Sequence, residues 1–225
     1  MKILIFSLSF FLCSSFNFTD NHNHNHQAMM DSSSLAPKMF EASDTQYVEP
    51  SSVEVKYLKV KSMQTTNFSG ENLTKLQTAF KALEVVVNTQ EFKERVLNFK
   101  NSVAERSFAS NEGLSNEQIF EAFMEGREQL DRETPHEMNF YLKLYNKRWS
   151  SVVGWTEPGI KTINVNWKFF RTFKPSDVAG NLAHEWTHKI GFGHKSSAEH
   201  DSAPYAVGYI VREMAERYLK GEELH

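Results

Sequence analysis

The sequence predicts an α+β fold in which helices pack on a small mixed sheet. Apolar residues recur every three or four positions between residues 71 and 99, which is typical of helices that bury one face. Between residues 140 and 167 they alternate with polar residues, which is typical of half-buried strands. A further helical stretch begins at Pro175 and carries a HExxH motif. Helices and strands grouped in this way indicate the α+β class.

The composition is that of one globular domain. The chain has 225 residues, of which 40% are hydrophobic and 13% are aromatic, so it is long enough to bury a substantial core. The formal net charge is −3, and the sequence contains no cluster of Lys and Arg. We therefore expect no nucleic-acid partner and no binding to an anionic membrane surface.

Residues 1–19 have the features of a secretory signal peptide. Lys2 precedes an apolar run over residues 3–13 that is too short to span a bilayer comfortably. No other segment approaches the roughly 20 apolar residues of a transmembrane helix. The sequence thus predicts a secreted protein, extracellular or periplasmic, without a transmembrane segment. Because Cys13 is the only cysteine and lies in this run, we expect no disulfide in the mature chain.

A lipid anchor on Cys13 is the alternative. We disfavour it because Phe10-Phe11-Leu12 lacks the small residues that precede a lipoprotein cysteine. Residues 20–50 then form a polar leader, in which Asn and His alternate over residues 21–26. Such a segment cannot bury an apolar face, so we expect a disordered tether, although its histidines can also collect metal. The folded domain is predicted over residues 51–225.

The first half of this domain is predicted to be mostly helical. After an alternating segment at residues 53–57, which predicts a strand, apolar spacing predicts helices over residues 71–88 and 91–99. Ser115 and Gln118 form a capping-box pattern, which predicts the start of another helix.

The second half begins with strands. Alternation predicts them over residues 140–144, 151–155 and 160–167. Pro158-Gly159 predicts the turn of a hairpin that joins the last two strands.

A long helix is predicted from Pro175 to Ile190. Ser176 or Asp177 is the expected N-terminal cap. Leu182, Trp186 and Ile190 share one side of this helix, which we expect to be buried in the core.

His184, Glu185 and His188 form the HExxH motif on this helix. The two imidazoles project from the same face and can bind one metal ion, with Glu185 beside them. Gly191 can end the helix in a left-handed conformation and so allow His194 to supply a third nitrogen. Three protein ligands leave one coordination position open for water. By chance, the full HExxHxxGxxH pattern occurs in a chain of this composition very roughly once in twenty thousand.

This pattern resembles the zinc-binding signature of the metzincin metallopeptidases. The resemblance implies a zincin-like catalytic domain, one Zn²⁺ held by His184, His188 and His194, and Glu185 as general base on a zinc-activated water. Together with the predicted signal peptide, it implies a secreted zinc metalloendopeptidase whose substrate is a peptide or protein.

The resemblance extends to two segments around the motif. In such enzymes an edge strand above the active-site helix pairs with extended substrate, and residues 162–167 are the candidate, with an interior strand as the alternative. The metzincins also place a methionine-containing turn below the metal. Here Met214 is the only methionine after His194, and it lies in a predicted helix. Residues 201–208 are an alternative floor, in a turn shaped by their proline and glycine.

Two assignments near the motif have alternatives. Tyr205 is a candidate donor to the oxyanion that develops during hydrolysis. His194 is the favoured third ligand because its glycine-linked spacing needs no further assumption. The alternative third ligands are a glutamate on the last helix and three residues soon after the turn, namely Glu213, Glu199, His200 and Asp201.

Three functions are compatible with the motif. The first is a metalloendopeptidase, which Glu185 favours because a purely structural zinc site has no need for a carboxylate beside the water. The second is a secreted, non-hydrolytic metal-binding or interaction protein on a zincin scaffold. The third is a zinc hydrolase that acts on a non-peptide amide.

Overall fold

A computed structural model describes residues 57–101, 107–111, 113–126, 128, 134–156, 160–195 and 199–225. The predicted signal peptide, the polar leader and the Pro158-Gly159 turn lie outside the described residues. The strand predicted at residues 53–57 also lies outside them, except for Tyr57, which precedes the first strand.

The described part of the chain forms four strands and six helices. The strands are β1 (Lys59–Thr66), β2 (Glu137–Tyr145), β3 (Gly154–Trp155) and β4 (Thr162–Asn166). The helices are α1 (Gly70–Val87), α2 (Gln90–Leu97), α3 (Asn116–Glu125), α4 (Trp167–Phe170), α5 (Pro175–Lys189) and α6 (Ala203–Leu219).

The strands form one mixed sheet in the order β1-β2-β4-β3. β1 and β4 both run parallel to β2, whereas β3 runs antiparallel to β4. Helices packed on a small mixed sheet confirm the predicted α+β class. Of the two alternatives for residues 162–167, the interior strand is confirmed, because β4 is hydrogen-bonded on both sides. Trp167 already belongs to α4. The edge beyond β4 is β3.

The predicted helical faces meet the sheet in one core. Trp186 on α5 is fully buried and its ring centroid lies 5.9 Å from that of Phe140 on β2. The core prediction for Leu182 and Trp186 is therefore confirmed, and Ile190 packs against the same cluster. The other large buried side chains come from α1, α2, α3 and the strands, and include Leu76, Leu83, Phe92, Ile119, Phe123, Leu142 and Ile163. Among the described residues, no helix is both long and apolar enough to cross a bilayer.

β1 was not predicted, because its side chains do not follow an in-and-out alternation. Apart from Val60, its residues are polar or only partly covered, and a bulge between Ser62 and Gln64 shifts its register. Side chains at the C-terminal end of α1 hold the start of β1 and the residue before it in place. Asn88 pairs with both backbone groups of Leu58 at 2.8 and 2.9 Å, and Glu84 accepts from the Val60 N–H at 2.8 Å.

Two predictions from local sequence patterns are confirmed. Ser115 and Gln118 form the predicted capping box at the start of α3. β3 and β4 pair antiparallel, as the hairpin prediction requires, although β3 contains only two of the five residues predicted for it. Buried Asn166 at the end of β4 explains the short strand, because its side chain bonds the backbone of Lys147 and Val152 instead.

Candidate metal centre

Helix α5 begins at Pro175, as predicted, but its N-cap lies two or three residues before the predicted cap. Pro175 is the first helical residue and Lys174 occupies the cap position, so neither Ser176 nor Asp177 is the N-cap. Asp177 instead stands in the first turn, where its Oδ2 accepts from the Lys174 backbone N–H at 2.9 Å. The backbone N–H at the first position of a helix has no partner within the helix, so Pro175, which has no N–H, costs α5 no hydrogen bond there.

The far end of α5 closes as the sequence predicts. Gly191 has a φ of 110°, its N–H bonds the His188 carbonyl at 3.1 Å, and the Phe192 N–H bonds the Thr187 carbonyl at 3.0 Å. These two bonds define a Schellman ending, which reverses the chain direction after the helix. The reversal returns His194 to the side of α5 that carries His184.

An ion pair anchors the opposite side of α5. Lys189 Nζ lies 2.7 Å from Glu128 Oε2, with both side chains almost fully buried. The same ammonium donates to the Asn139 carbonyl of β2 at 3.1 Å. Because removing one member of a buried pair leaves an uncompensated charge, this contact holds the helix end firmly against the sheet.

The structure brings His184, His188 and His194 together. One ring nitrogen from each residue lies within 4.8 Å of the other two. Among the described residues, these three histidines are the group whose geometry could hold a metal ion. The Nε2 atoms of His184 and His188 are 3.1 Å apart. Two nitrogens on a tetrahedral ion at about 2.0–2.1 Å lie about 3.3 Å apart, so this spacing fits a shared metal.

Backbone carbonyls orient two of the imidazoles. His188 Nδ1 lies 2.8 Å from the Phe192 carbonyl, so Nδ1 carries the proton and Nε2 has its lone pair for a metal. His184 hydrogen-bonds the backbone of Pro204, which offers only a carbonyl, so the ring must donate. The His188 ring is thus fixed in the tautomer that leaves its Nε2 able to bind an ion.

The surroundings keep all three rings neutral. Burial, assisted by the neighbouring histidines, lowers the pKa of His184 well below its ordinary value. Burial lowers the pKa of His188 to about 4 and also lowers that of His194, which the nearby Glu199 partly opposes. Neutral imidazoles are the form that binds metal, so these three residues can hold a metal ion at neutral pH.

Glu185 lies in a cleft that begins at His184. Its side chain is almost fully buried, and this burial raises its pKa to about 8. A Cβ added at Gly154 of β3 would lie 3.2 Å from Glu185 Oε1, so the strand backbone passes directly beside the carboxylate. No larger residue fits at position 154 without displacing that contact.

Tyr205 at the start of α6 forms one wall of the histidine cluster. Its ring centroid lies 4.6 Å from that of His184 and 4.7 Å from that of His194. Two glycines permit this approach, because a Cβ at Gly180 would lie 2.6 Å from the Gly208 carbonyl oxygen. Because neither glycine has a side chain, the backbones of α5 and α6 come into contact where the helices cross. This close approach packs the Tyr205 ring against the imidazoles.

The floor of the site is helical rather than a turn. Met214 is fully buried inside α6, as its helical pattern predicts, and lies in the core. The expected turn over residues 201–208 is wrong, since α6 begins at Ala203 and includes Pro204 near its start, where proline is tolerated.

The alternative third ligands have other contacts. Glu213 pairs with Arg95 at 2.7 Å on the surface of α6. Glu199 accepts from the Ser110 hydroxyl at 2.8 Å and from the Lys195 N–H at 2.7 Å. His200 Nδ1 lies 3.2 Å from the Tyr209 hydroxyl. Like Asp201, these three residues lie outside the three-histidine group, so His194 completes it.

Sequence reasoning missed several residues of the cleft. Asn181 lies one turn before Glu185, and Tyr209 and Arg212 follow Tyr205 on α6. Together with Gly208, the α6 residues have the spacing i, i+3, i+4 and i+7, which places them on one helical face. That periodicity was available in the sequence, but the orientation of this face towards α5 was not.

Comparison with protein-family models, curated proteins and solved structures finds no match to this chain.

Proposed function

We propose that this protein is a zinc-dependent metalloendopeptidase. The observation that carries the proposal is the position of Glu185 in the same cleft as His184, directly beside a cluster of three neutral, metal-compatible imidazoles. A structural metal site closes its coordination sphere with protein groups, whereas three ligands and an adjacent carboxylate are the components of metal-assisted hydrolysis. The predicted signal peptide supports export.

Zinc is the proposed ion because of the donor set. Three imidazole nitrogens suit zinc, and three-histidine sites with an open position are used in catalytic zinc centres. Magnesium and calcium prefer oxygen donors, so they are poor candidates for this cluster.

The residues of the chain suggest a division of labour in hydrolysis. His184, His188 and His194 hold the ion, which when bound supplies Lewis acidity towards water and a substrate carbonyl. Glu185 accepts a proton from the attacking water and passes it to the leaving amine as the peptide bond breaks. Its burial excludes competing solvent from this proton transfer.

β3 is the proposed site for extended substrate, in place of the candidate edge at residues 162–167. β3 is the last strand in the order, so one of its edges has no partner strand in the described sheet. Gly154 in this strand lies beside Glu185, which would bring a peptide paired along the edge to the general base. Tyr205 remains a candidate oxyanion donor, although its packing between two imidazoles supports a role in positioning them.

The test is cleavage by the zinc-loaded chain and its Glu185→Gln variant. In both proteins His22, His24 and His26 are replaced by Ala, so that metal on the leader is not counted. We expect one tightly bound zinc per chain in each protein. Cleavage of an unfolded protein substrate should fall about 10²–10⁴-fold in Glu185→Gln, which is the contribution typical of a general base.

Glu121→Gln is the matched control, because Glu121 is an exposed glutamate on α3. It should bind zinc and cleave like the parent chain. Zinc binding without cleavage in any of the proteins would favour the non-hydrolytic metal-binding alternative. A chain that binds no zinc at all would refute the proposal.

A further inference from the structure

Basic and aromatic side chains share one surface at the end of the sheet where β2 and β4 finish side by side. The loop after β2 carries Lys147, Arg148 and Trp149, which are all exposed. Lys168 in α4 and Arg171 just after it lie beside this loop. We call these five residues the basic face. It presents four cations around an indole that is 90% exposed.

Asn166 at the end of β4 joins the two segments of the basic face. Its Oδ1 accepts from the backbone N–H of Lys147 at 3.3 Å and from that of Lys168 at 3.1 Å. Lys168 Nζ donates to the Ser150 carbonyl at 2.9 Å, and Arg171 Nε donates to the Lys168 carbonyl at 3.3 Å. Because Lys147 and Asn166 are 19 positions apart, the sequence pattern does not show this cluster. The expectation of no anionic membrane partner therefore did not include it.

The charge of the basic face is not neutralised by neighbouring carboxylates. None of its four cations forms an ion pair with a carboxylate in the described part of the chain. Residues 146–176 contain six basic residues and one acidic residue, Glu157, which lies outside the described residues. The next acidic residue, Asp177, accepts from the Lys174 N–H at 2.9 Å. A locally positive surface thus stands out on a chain whose net charge is −3.

Aromatic rings lie beside the cations of the basic face. The Cζ of Arg148 is 5.4 Å from the ring centroid of Trp149. The Cζ of Arg171 is 5.1 Å from the ring centroid of Trp167. These cation–π contacts orient the guanidinium groups, which have five N–H donors each and no acceptor. Basic groups of this kind suit phosphate and carboxylate oxygens, whereas an indole is enriched where headgroups meet acyl chains.

The exposure of the rings favours a bilayer over a nucleic acid. Single strands bind along a positively charged groove in which successive bases stack on several aromatic side chains. Here Trp149 extends from a loop, whereas Trp167 and Phe169 are only partly exposed. A single protruding indole flanked by cations is suited to the interface of an anionic membrane, where the ring enters the headgroup region and the cations stay at the surface.

We propose that the basic face binds the anionic headgroups of a phospholipid bilayer, with Trp149 inserted at the level of the headgroups. Each Lys or Arg near such a surface contributes about fivefold to the partition coefficient. None of the five residues lines the cleft that contains Glu185. Membrane binding can therefore be tested independently of the proposed peptidase function.

The test is co-sedimentation of the full chain with vesicles of phosphatidylcholine, either alone or with about 30 mol% phosphatidylserine. At about 0.1 M NaCl the partition coefficient should be about 10²-fold higher on the anionic vesicles, and the ratio should fall at about 0.5 M because salt screens the attraction. The N-terminal apolar run is present in every protein compared, so its contribution cancels in the ratios. Equal partition onto the two kinds of vesicle would overturn the proposal.

Charge reversal tests the position of the surface. Arg148→Glu/Arg171→Glu should lower the partition coefficient on anionic vesicles by about 25-fold or more and leave that on phosphatidylcholine unchanged. Lys59→Glu/Lys100→Glu is the matched control, because it makes the same change in net charge at two exposed lysines outside the basic face. It should stay within about threefold of the parent chain. Equal losses in the two double variants would show that net charge alone determines binding and would overturn the proposal.

The indole is tested by Trp149→Ala, which should fold like the parent chain because this side chain is 90% exposed. Partition onto anionic vesicles should fall about tenfold, and the blue shift of tryptophan emission on binding should be lost. Met63→Ala, at another exposed apolar residue, should change neither. Unchanged binding by Trp149→Ala would overturn the proposal. Tighter binding to an oligothymidine than to vesicles, at equal phosphate concentration, would overturn it in favour of a nucleic-acid surface.

Discussion

The three histidines of the metal centre are held in two different ways. His184 and His188 stand on α5, whose backbone is hydrogen-bonded throughout and whose opposite side is fixed by a buried ion pair. His194 lies on the loop that follows, and it is less buried than His184. The helix fixes the first two ligands by local geometry, whereas the third depends on contacts between distant parts of the chain.

The loop contacts can be named. The Schellman ending at Gly191 reverses the chain, and buried Phe192 anchors it while its carbonyl accepts from His188. Glu199 then joins the far side of the loop to Ser110, which is 89 residues away in sequence. We infer that the helix pair is preformed for metal and that the loop ligand is the adjustable member. Four predictions test this difference.

The largest effect should come from removing a ligand. Zinc binding to small structural sites is worth about 10–16 kcal/mol, so one of three protein ligands corresponds to roughly 3–5 kcal/mol, or about 10²–10⁴ in affinity. We expect His188→Ala to lie at the upper end of this range and His194→Ala at the lower end. Competition with a zinc chelator measures both affinities.

His200→Ala is the control for these variants, because His200 is an exposed histidine on the same loop, outside the three-histidine group. It should bind zinc with nearly wild-type affinity. Equal losses for His188→Ala and His194→Ala would contradict the distinction between a helix-borne pair and a loop-borne ligand.

The second prediction concerns the rigidity of the helix side. Gly180→Ala places a methyl group 2.6 Å from the Gly208 carbonyl oxygen, so α5 and α6 must separate. Overpacking should exceed the gain in helix propensity and lower the free energy of unfolding by about 2 kcal/mol. Urea denaturation of the metal-free protein measures the change.

Gly193→Ala is the matched substitution in the loop. A Cβ there meets nothing within 4 Å, so the free energy of unfolding should change by less than about 0.5 kcal/mol. If Gly193→Ala were the more destabilising of the two, the loop would be the more tightly packed side, contrary to our inference.

The elements that could be predicted from sequence are those set by local signals. Apolar spacing predicts α1, the Ser115 and Gln118 pair predicts the start of α3, and the four-residue histidine spacing predicts one face of α5. β1 could not be predicted, because this mostly polar strand is stabilised by its pairing with β2. The paired residues Lys59 and Glu137 are 78 positions apart in the sequence. Strand order is non-local in the same way, which is why the sequence left both an edge and an interior position open for β4.

The candidate site divides along the same line. Its histidines and Glu185 belong to one short motif, so the sequence alone could name them. The rest of the cleft lining depends on the close crossing of α5 and α6 at Gly180 and Gly208, which brings Tyr209 and Arg212 towards α5. No short motif predicts that crossing, because Gly180 and Gly208 are far apart in the sequence and allow close packing only when they face each other.

The third prediction weakens the loop without removing a ligand. Glu199→Gln keeps the size of the side chain but removes the charge that accepts from Ser110 and Lys195. Outer contacts of this kind typically contribute about 10–100-fold to metal affinity, and we expect a loss of about tenfold here. Glu213→Gln is the control, since Glu213 pairs at the surface with Arg95 of α2. If Glu199→Gln bound zinc with wild-type affinity, Glu199 would not contribute to holding His194 in position.

The smallest effect should be the pH dependence of the metal-free protein. The folded-state pKa of Glu185 is raised by burial to about 8, so its protonated form stabilises the fold below its unfolded value, and that contribution is lost as the pH rises towards 8. The lowered pKa of His188, about 4, acts in the opposite direction, and its contribution is lost as the pH falls below 6.5. Above pH 7.5 the site histidines are largely neutral in both the folded and the unfolded state, which leaves Glu185 as the main titrating group of the site. Between pH 7.5 and 8.5 the free energy of unfolding should therefore fall by about 0.7 kcal/mol through Glu185. Urea titrations at the two pH values measure the slope, and Glu185→Gln should lack this component while His194→Ala retains it. If the free energy of unfolding of Glu185→Gln fell with pH as steeply as that of the parent chain, the titrating group would be a different residue. The inferred effect of burial on Glu185 would then be wrong.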